Sequence, residues 1–282
     1  MLELGRYRLA SVLTGTFAVD GGAMFGVVPR PLWERQVAPD AQNRIRVAAR
    51  ALLVVDGQSR RRILVDAGVG EGGDERRRTL LDLRARSIDE ELARHGLARA
   101  DITDVVLSHL HFDHAGGTAR RGPDGVPELS FPNATHHLQR RAWQWAHAPS
   151  ERDAGDFARE SYALLEHSSR LHLLEGETEL FPGIELIVSE GHTVGQQLVR
   201  VHGGGTHLTF CGDVIPTRAH LRTSWVMAFD LYPLTSIEEK KMILAQALEE
   251  DGILFFEHDA EVAACRLGER DGQPVFRESV EL

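Results

Sequence analysis

"SHLHFDHAGG", residues 108–117, places three histidines and an aspartate within six positions and closes on two glycines. Imidazole and carboxylate groups are costly to bury without partners, so a chain that crowds four of them together has a use for them. The run before them, "DVVLS" (Asp104 to Ser108), is apolar and β-branched and reads as a short buried strand stopping near His109. The polar cluster then falls on the loop past the strand's C-terminal end, the edge where layered α/β proteins collect their sites. His109 and His111 alternate, so an extended segment points both imidazoles the same way. Asp113 and His114 are adjacent, so a turn must redirect them to a second centre. Two pairs aimed at two nearby points is what a binuclear metal site requires.

Outward from this cluster, strand-like runs dominate the N-terminal part: Tyr7 to Phe17, Ile45 to Asp56 and Arg62 to Gly68. Between the first two lies a long connection, Ala18 to Arg44, rich in glycine and proline; connections of that length are often functional. A helix is expected from about Ser87, with Ser87 as N-cap, Glu90 three positions on and Gly96 at its end. Helical spacing returns in Gln139 to Ala148 and Asp156 to Ser168. Five strand-like runs follow ("LHLLEG", "TELFPG", "IELIVSEG", "QQLVRVHG", "THLTFCGD"), then a helix over Ser236 to Asp251 and a buried strand "ILFFEHD" (Ile253 to Asp259). Strands and helices, then strands and helices again, imply an α/β chain with two mixed sheets face to face and helices outside, an αββα sandwich. No linker or repeat divides it, so residues 1–282 read as a single domain.

A two-metal site needs further ligands, and three downstream residues stand at strand ends. His192 follows "IVSEG", Asp213 follows "LTFCG", and His258 closes "ILFFE". With "HLHFDH", these residues resemble the metallo-β-lactamase-fold hydrolases. "DGGAMFGVVPRPLW" (Asp20 to Trp33) and "SWVMAFDLYP" (Ser224 to Pro233) resemble the branch holding quorum-quenching lactonases and methyl parathion hydrolases. The resemblance implies that His109, His111 and His192 hold one metal, that Asp113, His114 and His258 hold the other, and that Asp213 bridges them. Imidazole suits zinc and carboxylates neutralise charge, so two zinc ions per chain are expected. Asp66, in "LVDAGVG", is a candidate to hydrogen-bond a ligand imidazole from behind, the other reading being a plain strand-end turn. Cys211 reads as a small core residue.

The function implied is that of a binuclear zinc hydrolase opening lactone rings, such as those of acyl-homoserine lactones, through a metal-bridging hydroxide. Asp113 would carry the proton to the leaving oxygen. Many lactonases of this branch place a tyrosine three residues after the bridging aspartate; here that position is Pro216, and the role falls to His220 as a second catalytic candidate. Met24, Phe25 and Trp225 are expected to wall the substrate pocket. The competing use of Met24, Phe25 and Trp33 is to pack on the body or on a second subunit, as in a homodimer. An organophosphate or aryl-ester hydrolase would use the same centre, and a non-catalytic ligand-sensing protein is the alternative of another class.

Bulk properties narrow the partners to a small molecule. Thirty-two basic and 42 acidic residues give a formal charge of −10, which repels polyanions and argues against nucleic acid. No stretch approaches the length of a membrane span. The start, "MLELGRYRLASVLTG", lacks a signal peptide's pattern, and two cysteines agree with a reducing compartment. A cytoplasmic location with no membrane partner is expected.

Overall fold

The computed structural model describes residues 1–72 and 74–282. An N-terminal sheet runs in the order Leu2–Leu4, Tyr7–Asp20, Arg44–Asp56, Arg62–Val65, Asp104–Val106, Thr135–Gln139 and Leu171–Leu174, with Arg84–Ala85 paired to Tyr7–Asp20. Its first strands are antiparallel; from Arg62–Val65 onward they are parallel. A C-terminal sheet follows chain order: Thr178–Phe181, Ile184–Ser189, Gln196–Gly203, Thr206–Phe210, Ile253–Phe255, Ala264–Arg270 and Gln273–Ser279. One pair in it, Thr206–Phe210 with Ile253–Phe255, is parallel, because the helix Pro233–Glu249 carries the chain back across the outer face.

Period-two alternation assigns the layers. Leu52 and Val54 of strand Arg44–Asp56 join Leu186, Val199, Val201 and Phe210 in the core between the sheets. Their neighbours Leu53 and Val55 face outward onto Ile88, Leu92, Ala142 and Leu165. Beneath the C-terminal sheet, Leu198, Leu254, Phe256 and Cys211 pack on Ile243, Leu244 and Ala247 of the long helix. Two mixed sheets face to face with helices on both outsides is the αββα order read from the sequence. No helix of the described residues is long and apolar enough to cross a membrane.

Several segments depart from the sequence reading. The expected helix Ser87–Gly96 is present as Ile88–Ala93, with the Ser87 hydroxyl accepting from the Glu90 amide and Gly96 at φ 70°. The expected helix Asp156–Ser168 is broken into Arg159–Tyr162 and single turns, because Phe157 is drawn out to form a β-bridge with His111. The connection after Tyr7–Asp20 is not a plain loop: it holds two short helices, Gly21–Phe25 and Arg30–Trp33, the first capped by Asp20. The closing hairpin Ala264–Arg270 with Gln273–Ser279 had no place in the reading.

Candidate metal centre

Each side chain of the cluster is delivered by a strand end. After Asp104–Val106 the chain stays extended through His109 and His111, whose rings meet at 4.4 Å. One helical turn, Phe112–Ala115, then swings Asp113 and His114 to a second centre, which is the turn the adjacency demanded. The glycines that follow let this turn dock against the Asp66 loop: a Cβ on Gly117 would lie 2.2 Å from the Ala67 carbonyl oxygen, and one on Gly116 would lie 2.5 Å from that of Val69. His192 sits between Ile184–Ser189 and Gln196–Gly203, Asp213 follows Thr206–Phe210, and His258 follows Ile253–Phe255.

All seven side chains converge, and all are buried. Ligand atoms of His109, His111, His192 and Asp213 lie within 4.8 Å of one another, and so do those of Asp113, His114 and His258. Asp213 stands between the groups: Oδ2 is 3.1 Å from His192 Nε2, and Oδ1 is 3.0 Å from His258 Nε2. His192 Nε2 faces His111 Nδ1 at 3.2 Å, and His258 Nε2 faces His114 Nε2 at 3.3 Å. His109 Nε2 and His111 Nε2 are buried without a hydrogen-bond partner among the described residues. Convergent imidazole nitrogens around a shared carboxylate, two of them orphaned, fit two divalent transition ions.

The electrostatics agree. Burial pushes the imidazoles of His109 and His111 well below the ordinary histidine range, which keeps them neutral as ligands must be. For His258, burial opposes the charged form, but Asp213, with Glu257 and Asp113, outweighs it and lifts the group to about 9. His114 is likewise raised against its burial, by Glu257, Asp213 and Asp113. Asp213 overcomes its own burial through His192, His258 and His114 and is held well below the carboxylate range. The cluster is a place for positive charge.

Behind the rings stands a second layer of contacts. Asp66, held at φ 61° on the turn after Arg62–Val65, accepts from the Ser108 amide and hydroxyl, each at 2.6 Å, and lies 2.9 Å from His114 Nδ1. This is the place the sequence reading gave it. Four partners were missed: the Ser108 hydroxyl, 3.0 Å from His109 Nδ1; Asp230, 3.0 Å from His192 Nδ1; the Ala48 carbonyl, 2.7 Å from His258 Nδ1; and Glu257, 2.9 Å from His114 Nδ1. Asp230 lay inside a quoted motif, and Glu257 adjoins a ligand, so both carboxylates were there to be asked about. The Ala48 carbonyl carries no sequence signal.

Above the cluster opens a cavity of about 500 Å³, floored by His111, Asp113, His192, Asp213 and His258. Its walls are mostly apolar: Phe17, Val19, Met24, Val47, Leu80, Leu81, Phe112, Met227 and Phe229. Asp156, Arg76 and Arg77 also border it. Met24 lines the cavity as expected, but Phe25 and Trp225 do not. Phe25 is fully buried behind the wall, stacked 5.2 Å from Trp33 and 4.9 Å from His220, with Trp225 edge-on at 5.6 Å. His220 is also corrected. Its Nδ1 pairs with Thr217 Oγ1 at 2.7 Å and its Nε2 with the Met24 carbonyl at 2.9 Å, so neither nitrogen is free for substrate. Burial, then Lys240, lowers it to about 3, so it is a neutral packing residue. Pro216 serves the centre only through its carbonyl, which accepts from the His258 amide.

Residues 46–258 match the model of the metallo-beta-lactamase superfamily. The chain belongs to that superfamily. Among curated relatives, the N-acyl homoserine lactonase AiiA of Bacillus thuringiensis subsp. kurstaki is 29% identical over 184 residues, 62% of this chain and 64% of the relative. The match therefore spans under two thirds of that relative's length. A structure described as "a probable metal-dependent hydrolase from Staphylococcus aureus" superposes with a TM-score of 0.88 at 30% identity, covering 99% of this chain and 100% of the other. AidC, described as a dizinc quorum-quenching lactonase in complex with a product, superposes with a TM-score of 0.81 at 20% identity over 100% and 97% of the two chains, a likeness of fold.

Proposed function

We propose that this protein is a binuclear zinc hydrolase that opens lactone rings, with acyl-homoserine lactones as the leading substrate class. The observation that carries the reading is the convergence of seven ligand-type side chains, five of them on the floor of an apolar cavity large enough for an acylated ring. Two bound divalent ions would polarise the ester carbonyl and provide a strong oxygen nucleophile at neutral pH.

The chain's own groups account for the rest of the chemistry. Asp213 spans both groups and so sets their spacing. Asp113 borders the cavity with Oδ2 3.7 Å from His258 Nε2, where its carboxylate can take up a proton and pass it to the leaving ring oxygen. Apolar walls exclude water and hold an acyl chain. With His220 turned away and proline at 216, Arg76 and Arg77 are the cavity-lining side chains, apart from the ligand imidazoles, that can donate a hydrogen bond to a substrate oxygen. The aromatic rings of Phe17, Phe112 and Phe229 in the wall favour a second reading, hydrolysis of aryl esters or phosphotriesters on the same centre.

The test is a panel of lactones, aryl esters and phosphotriesters assayed with zinc-reconstituted protein. Lactones with acyl chains should give the highest kcat/KM. A preference of tenfold or more for phosphotriesters selects the second reading, and no turnover of any class leaves a binding protein.

A further inference from the structure

Glu257 is a fully buried carboxylate, and neither of its oxygens has a hydrogen-bond partner among the described residues. Its Oε2 lies 2.9 Å from His114 Nδ1, yet that nitrogen meets hydrogen-bond geometry with Asp66 instead. Asp66 is already well supplied by Ser108, whereas Glu257 receives nothing. Burying a carboxylate without a hydrogen bond is costly, and leucine would fill the space without that cost.

Position explains what the charge faces. Glu257 immediately precedes His258, and the two bracket the His114 ring. His258 Nε2 stands 3.3 Å from one ring nitrogen, and Glu257 stands behind the other. The same strand end is clamped by the neighbouring sheet strand, through the reciprocal Ala48–His258 contacts and the Arg50 guanidinium on the Asp259 carbonyl. Glu257 is thus held rigidly in place. The two ligand groups differ in this respect. The rings of His109, His111 and His192 have one carboxylate behind them, Asp230, whereas His114 alone has two.

We propose that Glu257 is a positioning residue whose carboxylate, set against the back of His114, strengthens the hold of Asp113, His114 and His258 on their cation. The inference rests on the two-metal reading above. Two divalent ions bring four positive charges and the ligands Asp113 and Asp213 return two, so a buried outer carboxylate offsets part of the remainder and makes the imidazole a better donor.

The experiment uses the full chain, reconstituted with zinc, as wild type, Glu257→Gln and Glu257→Asp. Zinc stoichiometry and dissociation constants come from competition with a chromophoric chelator, and anomalous scattering at the zinc edge shows which group empties. Wild type should bind two equivalents. Glu257→Gln should bind the ion at Asp113, His114 and His258 about 10–100-fold more weakly and leave the other unchanged; Glu257→Asp, which keeps the carboxylate, should lose less. Wild-type affinity at both sites in the Gln variant, or an equal loss in Gln and Asp, overturns the inference and leaves Glu257 a packing residue. Failure of the wild type itself to bind two equivalents overturns the two-metal reading instead.

Discussion

The floor and the wall of the cavity are made from two different kinds of sequence. The floor is the exposed side of a cluster of seven histidines and aspartates, five of which line the cavity, chemically conspicuous and, in its first half, close in sequence. The wall is ordinary apolar residues from segments distant in sequence: Phe17 and Val47 from two paired strands, Leu80 and Leu81 from a short helix and its end, Met227 and Phe229 from a loop. A floor residue is recognisable by type. A wall residue is recognisable only by which way it faces.

The sharpest way to break that contrast is at the floor. Asp213→Ala removes the carboxylate shared by both groups, while the core between the sheets lies elsewhere. Hydrolysis should fall by several kcal/mol of transition-state stabilisation, on the order of 10³-fold or more. Bound zinc should drop below two equivalents with circular dichroism retained. A folded variant with full turnover would remove the floor from the mechanism.

Behind the wall the expected effect moves from activity to stability. Phe25→Ala opens a void between Trp33, His220 and Trp225 and should cost about 3–5 kcal/mol in denaturant unfolding, with zinc content unchanged. A raised KM at wild-type stability would instead return Phe25 to the pocket, where its sequence first suggested it.

That exchange shows where legibility stops. The αββα order was readable because alternation and length mark strands, and His109 through His114 were readable because few other uses require those groups together. His192, Asp213 and His258 each follow a run of strand character, so their convergence was inferable from the fold. Met24 and Phe25 are neighbours of similar character, and only the rotation of a five-residue helix sends one into the cavity and the other behind it. His220 looked like a catalytic group because it carries a ring; the Thr217 hydroxyl and Met24 carbonyl that occupy both nitrogens come from local turn geometry and a chain segment 196 positions away. Polar identity was legible, but polar satisfaction was not.

Lys240 gives a measurement of the support beneath the wall. It is fully buried on the long helix, and its ammonium donates to the Trp225 carbonyl, fixing the loop that carries Met227 and Phe229. Burial lowers it from 10.5 to about 8, with Asp230 opposing the shift. The unfolded chain keeps this proton up to its higher pKa while the folded chain releases it near 8, so the unfolded state binds more protons in between. Stability should therefore rise by about 3 kcal/mol in all as pH climbs from 8 to 10.5, and the penalty is fully present below 8. Lys240→Met removes that slope. At pH 7 it should gain about 2 kcal/mol after the loss of one hydrogen bond. An unchanged slope in the methionine variant would show that the ammonium is not desolvated in the native state.

The smallest effect is expected at the rim, and it isolates binding from everything beneath. Phe229 borders the cavity but keeps 37% of its surface exposed, so it does not fill the core. Truncating a half-exposed ring leaves little void, and unfolding should change by no more than about 0.5 kcal/mol. Zinc content should not change at all. What the ring can give is apolar contact to the part of a substrate that projects from the floor, in the ground state and the transition state alike. Phe229→Ala should therefore raise KM roughly fivefold, about 1 kcal/mol, for substrates with long acyl or aryl groups, with kcat nearly constant. Short-chain lactones that never reach the rim should show no change. Set beside Phe25→Ala, the pair separates two phenylalanines of one region by what each loses, binding at the rim and stability behind the wall. If Phe229→Ala leaves KM unchanged across the whole chain-length series, the substrate does not leave the cavity by this side, and the entrance must be sought along Leu80 and Arg76.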